Sequence, residues 1–525
     1  MKTKQLFKSH LFSLAALFSI ALTAVSCVNE DIAQNGKTGD NGKGFATFVA
    51  DVPAQTRTSV DYATGNFYWE EGDKIYVKDD DGTMQVSNTV DAAHAHSASF
   101  KFKVPGKFGG SANYKVYYLG KNSSSNQVTI PTAQTQTTPN TTDHLGNSGD
   151  YGTATATGTL GGSVFSFQLE HQATYLVFQP YTSNAVLKNC YLTKIEVNSD
   201  DDIAETYTIN SSTGNLNGSA GSKQIVLTTK DPVAGSTNEK GFSFTNATSI
   251  STADKVYMLI KPGAHTLKVR YWVKDYDTNV EGTITKVLPS FNYDKNTYYD
   301  MTANLNVKDY DGDHYYMWDA QNQYWYGYEW TQHLSGNTGQ PTLNGNGSSN
   351  YAHSNTDSRY YNESYPGYGI GNPATNTSCK DLPNVNEMTW YAEKGDPRWD
   401  GDELWTTMGH LYKGGMWFKK RAYISGYNGN TAVDGSDWRT NGNWQNWSVS
   451  RTLPSAADAN KYFYLPALGC YLSGQLYNVG GSGDYWSSSA YPWDSNRAYY
   501  LYFGGNGVYL DRYERYYGFR VGGFE

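Results

Sequence analysis

The stretch AYYLYFGGNGVYLDRYERYYGFRV, Ala498 to Val521, carries seven tyrosines among its 24 residues, and Phe503 and Phe519 add two more rings. Charged and small residues fill the places between them. A strand buried on both faces would use valine, isoleucine and leucine, which have no hydroxyl needing a partner. A fully solvated strand would not expose so many rings. Tyrosine does suit a contact face, because it offers large amphipathic area with only two side-chain torsions to immobilise. On this reading the tail alternates buried frame residues with ligand-facing ones. One of each neighbouring pair then turns away from the ligand.

Working outward, the other end of the chain says where such a face would sit. MKTKQLFKSHLFSLAALFSIALTAVSC opens with Lys2, Lys4 and Lys8 and continues through an apolar run, Leu11 to Val25. That run is the length of a signal-peptide core and short for a membrane span. Removing residues 1–26 takes away those three lysines and moves the formal net charge from −9 to −12. An acidic chain argues against nucleic acid as a partner, since phosphate binding needs a basic patch. Forty-five tyrosines, 14 tryptophans, 53 glycines and only 17% charged residues fit an all-β, turn-rich extracellular protein. Besides Cys27, the cysteines are Cys190, Cys379 and Cys470, too few and too scattered for a disulfide framework or a zinc site.

Residues 27–44 are polar and glycine-containing and read as a flexible tether. From about 45 to 305 the chain alternates apolar and polar residues between turn signals. VYMLIKPGAHTLKVRYWV, beginning at Val256, reads as a hairpin turning at Pro262-Gly263. Leu267, Val269, Tyr271 and Val273 share one of its faces, and Lys268 and Arg270 the other. The length suits two β-sandwiches, 45–165 and 166–305. From about Asp309 the texture changes to aromatic and glycine-punctuated segments, with a Gly/Asn/Ser stretch at 335–379 that is too polar to pack by itself. A helix is predicted near Asn386–Lys394, with Asn384 as its cap. Residues 306–525 are expected to form the third domain.

Three segments carry resemblances. The end of the N-terminal run, before Cys27, resembles a bacterial lipobox, which implies lipidation at Cys27, with lipid as the only membrane anchor. The acidic VNEDIAQ behind it resembles the surface-export signal of Bacteroides-type lipoproteins and implies the outer face of the outer membrane. TRTSVD, GNFYWEEGDKIYV and FSFQLEHQATYLVF resemble the fimbrillin-like lipoproteins of those bacteria. That likeness implies two transthyretin-like β-sandwich domains, pilus subunits as partners, and a processing cut after Arg57. LPALG (Leu465–Gly469), GQLYNVGGSGDYWSSS (Gly474–Ser489), AYYLYF and YYGFRV resemble the C-type-lectin-like domain of the Fibrobacter-type major-paralogue surface proteins. Some of those are targets of diversity-generating retroelements, which vary exposed contact positions and leave the frame constant. The expected fold is therefore mainly β, two sandwiches followed by an α+β lectin-like domain. Trp486, Phe503, Gly518, Phe519 and Val521 would be its frame. Trp493, Asp494, Asn496, Arg497, Tyr500, Asn506, Tyr509, Asp511, Tyr513 and Tyr516 would contact a protein or glycan ligand.

Enzymatic motifs do not emerge. No HExxH spacing, phosphate-binding loop or Gly-x-Ser-x-Gly elbow occurs. His94 and His96 would share a strand face without a third ligand nearby. DYDGD (309–313) and DGDELW (400–405) alternate carboxylates as calcium loops do, without the glutamate at loop position 12. The Glu-Pro-Asn of calcium-dependent lectins is missing, and Cys379 and Cys470 are a weak basis for formylglycine-generating chemistry. No cofactor, metal or catalysis is expected. The function expected is a surface adhesin or pilus-tip-like lipoprotein, and the alternative is a structural pilus stalk or anchor subunit with no ligand site.

Overall fold

The computed structural model describes residues 44–50, 59–61, 66–121, 123, 126–210, 213–244, 254–332, 347–363 and 373–525. Cys27, the tether up to residue 43 and Arg57 lie outside them. The protein is mainly β, and residues Gly44–Glu525 pack as one unit.

The first sheet is built around Phe45–Ala50, which runs parallel to Val164–Phe167 and antiparallel to Lys101–Pro105. Alternation places Ala46, Phe48 and Ala50 inward. There they join Trp69, Phe102, Val104, Val116, Tyr118, Phe165 and Phe167 in one core. The buried Tyr118 hydroxyl donates to Asp73 Oδ1 at 3.0 Å, so the ring's polar end is satisfied as well as its apolar body. His94 and His96 are not on a strand. His94 ends a short 3-10 helix, Ala92–His94, and His96 takes a positive φ of 55° beside Glu70.

The chain then leaves the first sheet to serve the second part. Gln127–Ile130 pairs with Ala204–Ile209, and Ala133–Thr135 runs parallel to Gln224–Thr228. Val164–Phe167 returns to the first sheet and spans the expected limit at 165/166. The second part stacks a sheet of Val256–Ile260, Thr174–Tyr181 and Tyr298–Asn304 on a longer sheet that contains Tyr191–Ser199 and Gly263–Lys274. Tyr175, Leu176, Val177, Phe178, Ile195, Val197 and Val256 to Ile260 belong to a single core that covers both faces of the shorter sheet.

The hairpin expected at Pro262-Gly263 does not form. Val256–Ile260 pairs with Thr174–Tyr181, whereas Gly263–Lys274 pairs with Tyr191–Ser199 and Glu281–Tyr293. The turn is a corner between sheets, with Gly263 at φ 147°. A Pro-Gly turn fits both outcomes locally. The choice went to the pairing that buries every residue of Val256–Ile260. Leu267, Val269, Tyr271 and Val273 do line the core. Lys268 and Arg270, on the opposite face, are buried too, because the C-terminal part covers that face.

The long sheet continues through Glu281–Tyr293 to Arg398–Thr407, His410–Lys419 and Tyr462–Pro466, so pairing also crosses position 305/306. A buried ionic cluster sits at this crossing. Arg270 contacts Asp400 Oδ1 at 3.0 Å, and Thr283 and Thr285 donate hydroxyls to Glu403 Oε2 at 3.0 and 2.6 Å. Lys268 Nζ donates to the Pro454 carbonyl at 2.6 Å. Burial, followed by the charge of Asp400, pushes the Glu403 carboxyl well above the usual carboxylate range. The polar stretch near 350–379 packs where it is described: Ala352, Arg359, Tyr361 and Cys379 are buried. Arg359 makes this workable. It bonds Asp357 and the Asn350 carbonyl, and its guanidinium lies 4.6 Å from the Tyr328 ring.

The predicted helix is present as Val385–Lys394. Asn384 caps it, and Glu387 closes a reciprocal capping box. Val385, Met388, Tyr391 and Ala392 press on one face of the tail sheet.

Candidate binding groove

The tail forms the centre of a separate sheet. Ser482–Ala490 pairs antiparallel with Arg497–Gly504, which turns at Gly505-Asn506 into Gly507–Glu514. Phe519–Arg520 and Tyr315–Tyr316 extend the sheet on the other side, and Gln445–Trp447 closes the far edge.

The two faces have opposite chemistry. Tyr485, Tyr499, Leu501, Phe503, Val508 and Leu510 face the helix and are buried. On the other face the register aligns Asp484, Tyr502 and Tyr509 in one cross-strand row, and Trp486, Tyr500 and Asp511 in the next. Trp486 and Phe519 are covered by Trp318 and Cys379, which closes one part of this face. The remainder is an open groove of about 390 Å3, lined by Tyr500, Tyr502, Asn506, Tyr509 and Asp511, with Gly481, Gly504, Gly505 and Gly507. With no side chains at the glycines, the backbone itself is part of the lining.

The rings continue beyond the groove as a chain of edge contacts. Tyr502 meets Tyr509 at 5.4 Å, Tyr500 meets Tyr513 at 5.7 Å, and Tyr513 meets Tyr517 at 4.5 Å. Such spacing is the edge-to-face arrangement that aromatic pairs favour. Asp484, behind Tyr502, is 6% exposed and accepts from Ser482 Oγ at 3.0 Å. Burial pushes its carboxyl up to about 7. Burial also raises the Tyr500 and Tyr502 hydroxyls above the ordinary phenol range, so both stay protonated at neutral pH.

Of the ten positions expected to touch a ligand, Tyr500, Asn506, Tyr509 and Asp511 line the groove. Tyr513 and Tyr516 are exposed beside it, Tyr516 stacked on Tyr517 at 5.2 Å. The other four do not join them. Trp493, 63% exposed, packs beside Tyr491, whose ring meets Tyr499 on the helix-facing side. Asp494 and Asn496 belong to the same loop, and Arg497 is held by Glu514 at 3.0 Å and Asp494 at 3.6 Å. Sequence reasoning missed Tyr502 and the glycines. Tyr502 was findable, because it shares strand parity with Tyr500 across the same run.

The frame residues are where the motif placed them: Trp486, Phe503, Phe519 and Val521 are buried. Gly518 is held by space, since a Cβ there would lie 2.6 Å from the Tyr324 ring. Elsewhere Asp311, Asp313 and His314 bring ligand-type atoms within 4.8 Å of one another, on the surface. Arg520 Nη1 also reaches Asp311 Oδ1, at 3.5 Å.

No family model matches this chain, and no curated protein matches it. Among solved structures it is similar to a Bacteroides ovatus protein assigned to cell adhesion, at 14% identity and a TM-score of 0.30, over 50% of this chain and 94% of that one. It is also similar to the fimbrial anchor protein Mfa2 of Porphyromonas gingivalis, at 13% identity and a TM-score of 0.23, over 47% and 81%. A fimbrial protein of Bacteroides ovatus overlaps 91% of this chain and 99% of its own, at 11% identity and a TM-score of 0.23.

Proposed function

We propose that this chain is a cell-surface adhesin, lipid-anchored to the outer membrane through Cys27, that binds an external protein or glycan with its C-terminal sheet. In this reading residues 45–305 are two transthyretin-like sandwiches serving as stalk or pilus-docking module, with processing after Arg57. Residues 306–525 are the C-type-lectin-like ligand domain, and the protein performs no catalysis. The observation that carries the proposal is the convergence of Tyr500, Tyr502, Asn506, Tyr509 and Asp511 on one open groove, while the opposite face of the same strands is core. Aromatic side chains of this kind dominate binding hot spots.

The test uses the mature chain on an array of host glycans and extracellular proteins, beside a Tyr502→Ala/Tyr509→Ala variant. A target that retains wild type and loses the variant, with unchanged thermal unfolding, supports the reading. Equal retention of both proteins on every target would sink it. A second reading, a structural pilus subunit, is favoured by the long sheet that joins the second sandwich to the C-terminal part. It expects pilus incorporation to survive the tyrosine changes.

A further inference from the structure

The groove's walls are aromatic and carry one carboxylate, Asp511, and none of the residues lining it is a lysine or an arginine. Asp511 lines it directly, on the strand next to Tyr500 and Tyr502. Tyrosine faces carry a negative quadrupole, so they attract cations and repel phosphate or carboxylate ligands. The rest of the C-terminal part shows how this chain treats such faces. Arg359, Arg421, Arg512, Arg515 and Arg520 stand over Tyr328, Tyr427, Tyr491, Trp318 and Tyr315, at 4.4 to 5.8 Å from the ring centres. Among the described residues, no lysine or arginine of the chain stands over Tyr500, Tyr502, Tyr509 or Tyr513.

The nearest cations are already engaged. Arg512 alternates to the other face, over Trp444 and Tyr491, while bonding Asp511 Oδ1 at 2.9 Å. Arg451 bonds the Gly505 carbonyl at the hairpin tip at 3.1 Å. That carbonyl shows that the tip accepts a guanidinium. The formal charge of the whole chain, −9, adds long-range attraction for a basic partner.

We propose that the groove takes a cationic side chain, arginine before lysine, from a basic segment of a protein partner. This rests on the groove being the ligand site and names the class of ligand. A guanidinium fits because it stacks on tyrosine and pairs with a carboxylate at once, and a hydrated ammonium does so less well.

Isothermal titration of the full mature chain tests this, with a short arginine-rich peptide, its citrulline counterpart and a neutral malto-oligosaccharide. The arginine peptide should bind roughly tenfold or more tightly than the citrulline peptide at low salt. Tyr509→Leu, which keeps apolar area and removes the ring, and Asp511→Asn should each weaken it several-fold with unchanged melting. Equal binding of the two peptides, tighter binding of the oligosaccharide, or a wild-type response in both variants overturns the cationic assignment. The two readings fail separately. If an array target still depends on Tyr502 and Tyr509 while the arginine peptide does not compete with it, the groove stands and the ligand class falls. If the arginine peptide binds independently of Tyr509 and Asp511, it is held by the acidic surface and not by the groove.

Discussion

Asp484 is a buried acid on a strand whose neighbours are aromatic, and its position has a consequence for stability. Its carboxyl titrates at about 7 in the folded chain, against an ordinary value of 3.8. Between those values the folded state keeps a proton that the unfolded state has released. The contribution of Asp484 to stability therefore falls as pH rises from about 4 to about 7, and the penalty is complete above that. Asp484→Asn removes the penalty, and should stabilise the protein at pH 8 by on the order of 2–4 kcal/mol and by little near pH 4. Urea midpoints of both proteins at the two pH values check this, and a gain of equal size at both would refute it. Core and groove residues should also separate. Trp486→Ala or Phe519→Ala should cost roughly 3–5 kcal/mol of stability as deletions of buried rings. Tyr509→Ala with Tyr513→Ala should cost folding clearly less, about 1–2 kcal/mol, because Tyr513 is exposed and Tyr509 only half-buried. If the tyrosine pair unfolds the protein as the frame changes do, the groove is core and not a binding surface.

At the scale of elements, the cluster Arg270, Asp400, Thr283, Thr285 and Glu403 fastens Gly263–Lys274 and Glu281–Tyr293 to Arg398–Thr407. Arg270→Met leaves the buried Asp400 carboxylate without its cation and should cost roughly 3–5 kcal/mol. Adding Asp400→Asn should recover part of that loss, because the two positions share one interaction. Additive losses in a double-mutant cycle would show that the pair is not coupled. Local signals reached some elements and not others. The helix Val385–Lys394 was legible because Asn384, Glu387 and the apolar spacing all lie within one short window. The corner at Pro262-Gly263 was not, because a turn sequence is silent about which strand its flanks will pair with. Strand choice is decided by burial of residues far away in the chain.

For the whole molecule, the predictions concern anchoring and assembly. Cys27→Ala should move the protein out of the membrane fraction, and an unchanged distribution would dismiss the lipid anchor. Among the described residues no helix is long and apolar enough to cross a membrane. Fragments 28–305 and 306–525 test how far the two parts stand alone. The isolated C-terminal fragment exposes the edge of Arg398–Thr407 and leaves Asp400 without Arg270. It should melt below its transition in the full chain, and a matching melting temperature would show that the shared sheet contributes little.

By itself the sequence determined the class of strand-rich architecture, the capped helix and the buried frame of the tail, since period, caps and large apolar residues act over a few positions. Parity along Arg497–Gly504 puts Tyr502 on the face of Tyr500, a signal the sequence reading left unused. Only the tertiary structure decided which face that was. The helix Val385–Lys394 covers Tyr499, Leu501 and Phe503, and Trp318 covers only part of the other side. The same long-range packing turned Trp493 away from the groove and buried Arg270 under residues 130 positions downstream. A tyrosine is amphipathic enough to serve in a core or at a surface. The residue type left the choice open, and the elements packed against each face made it.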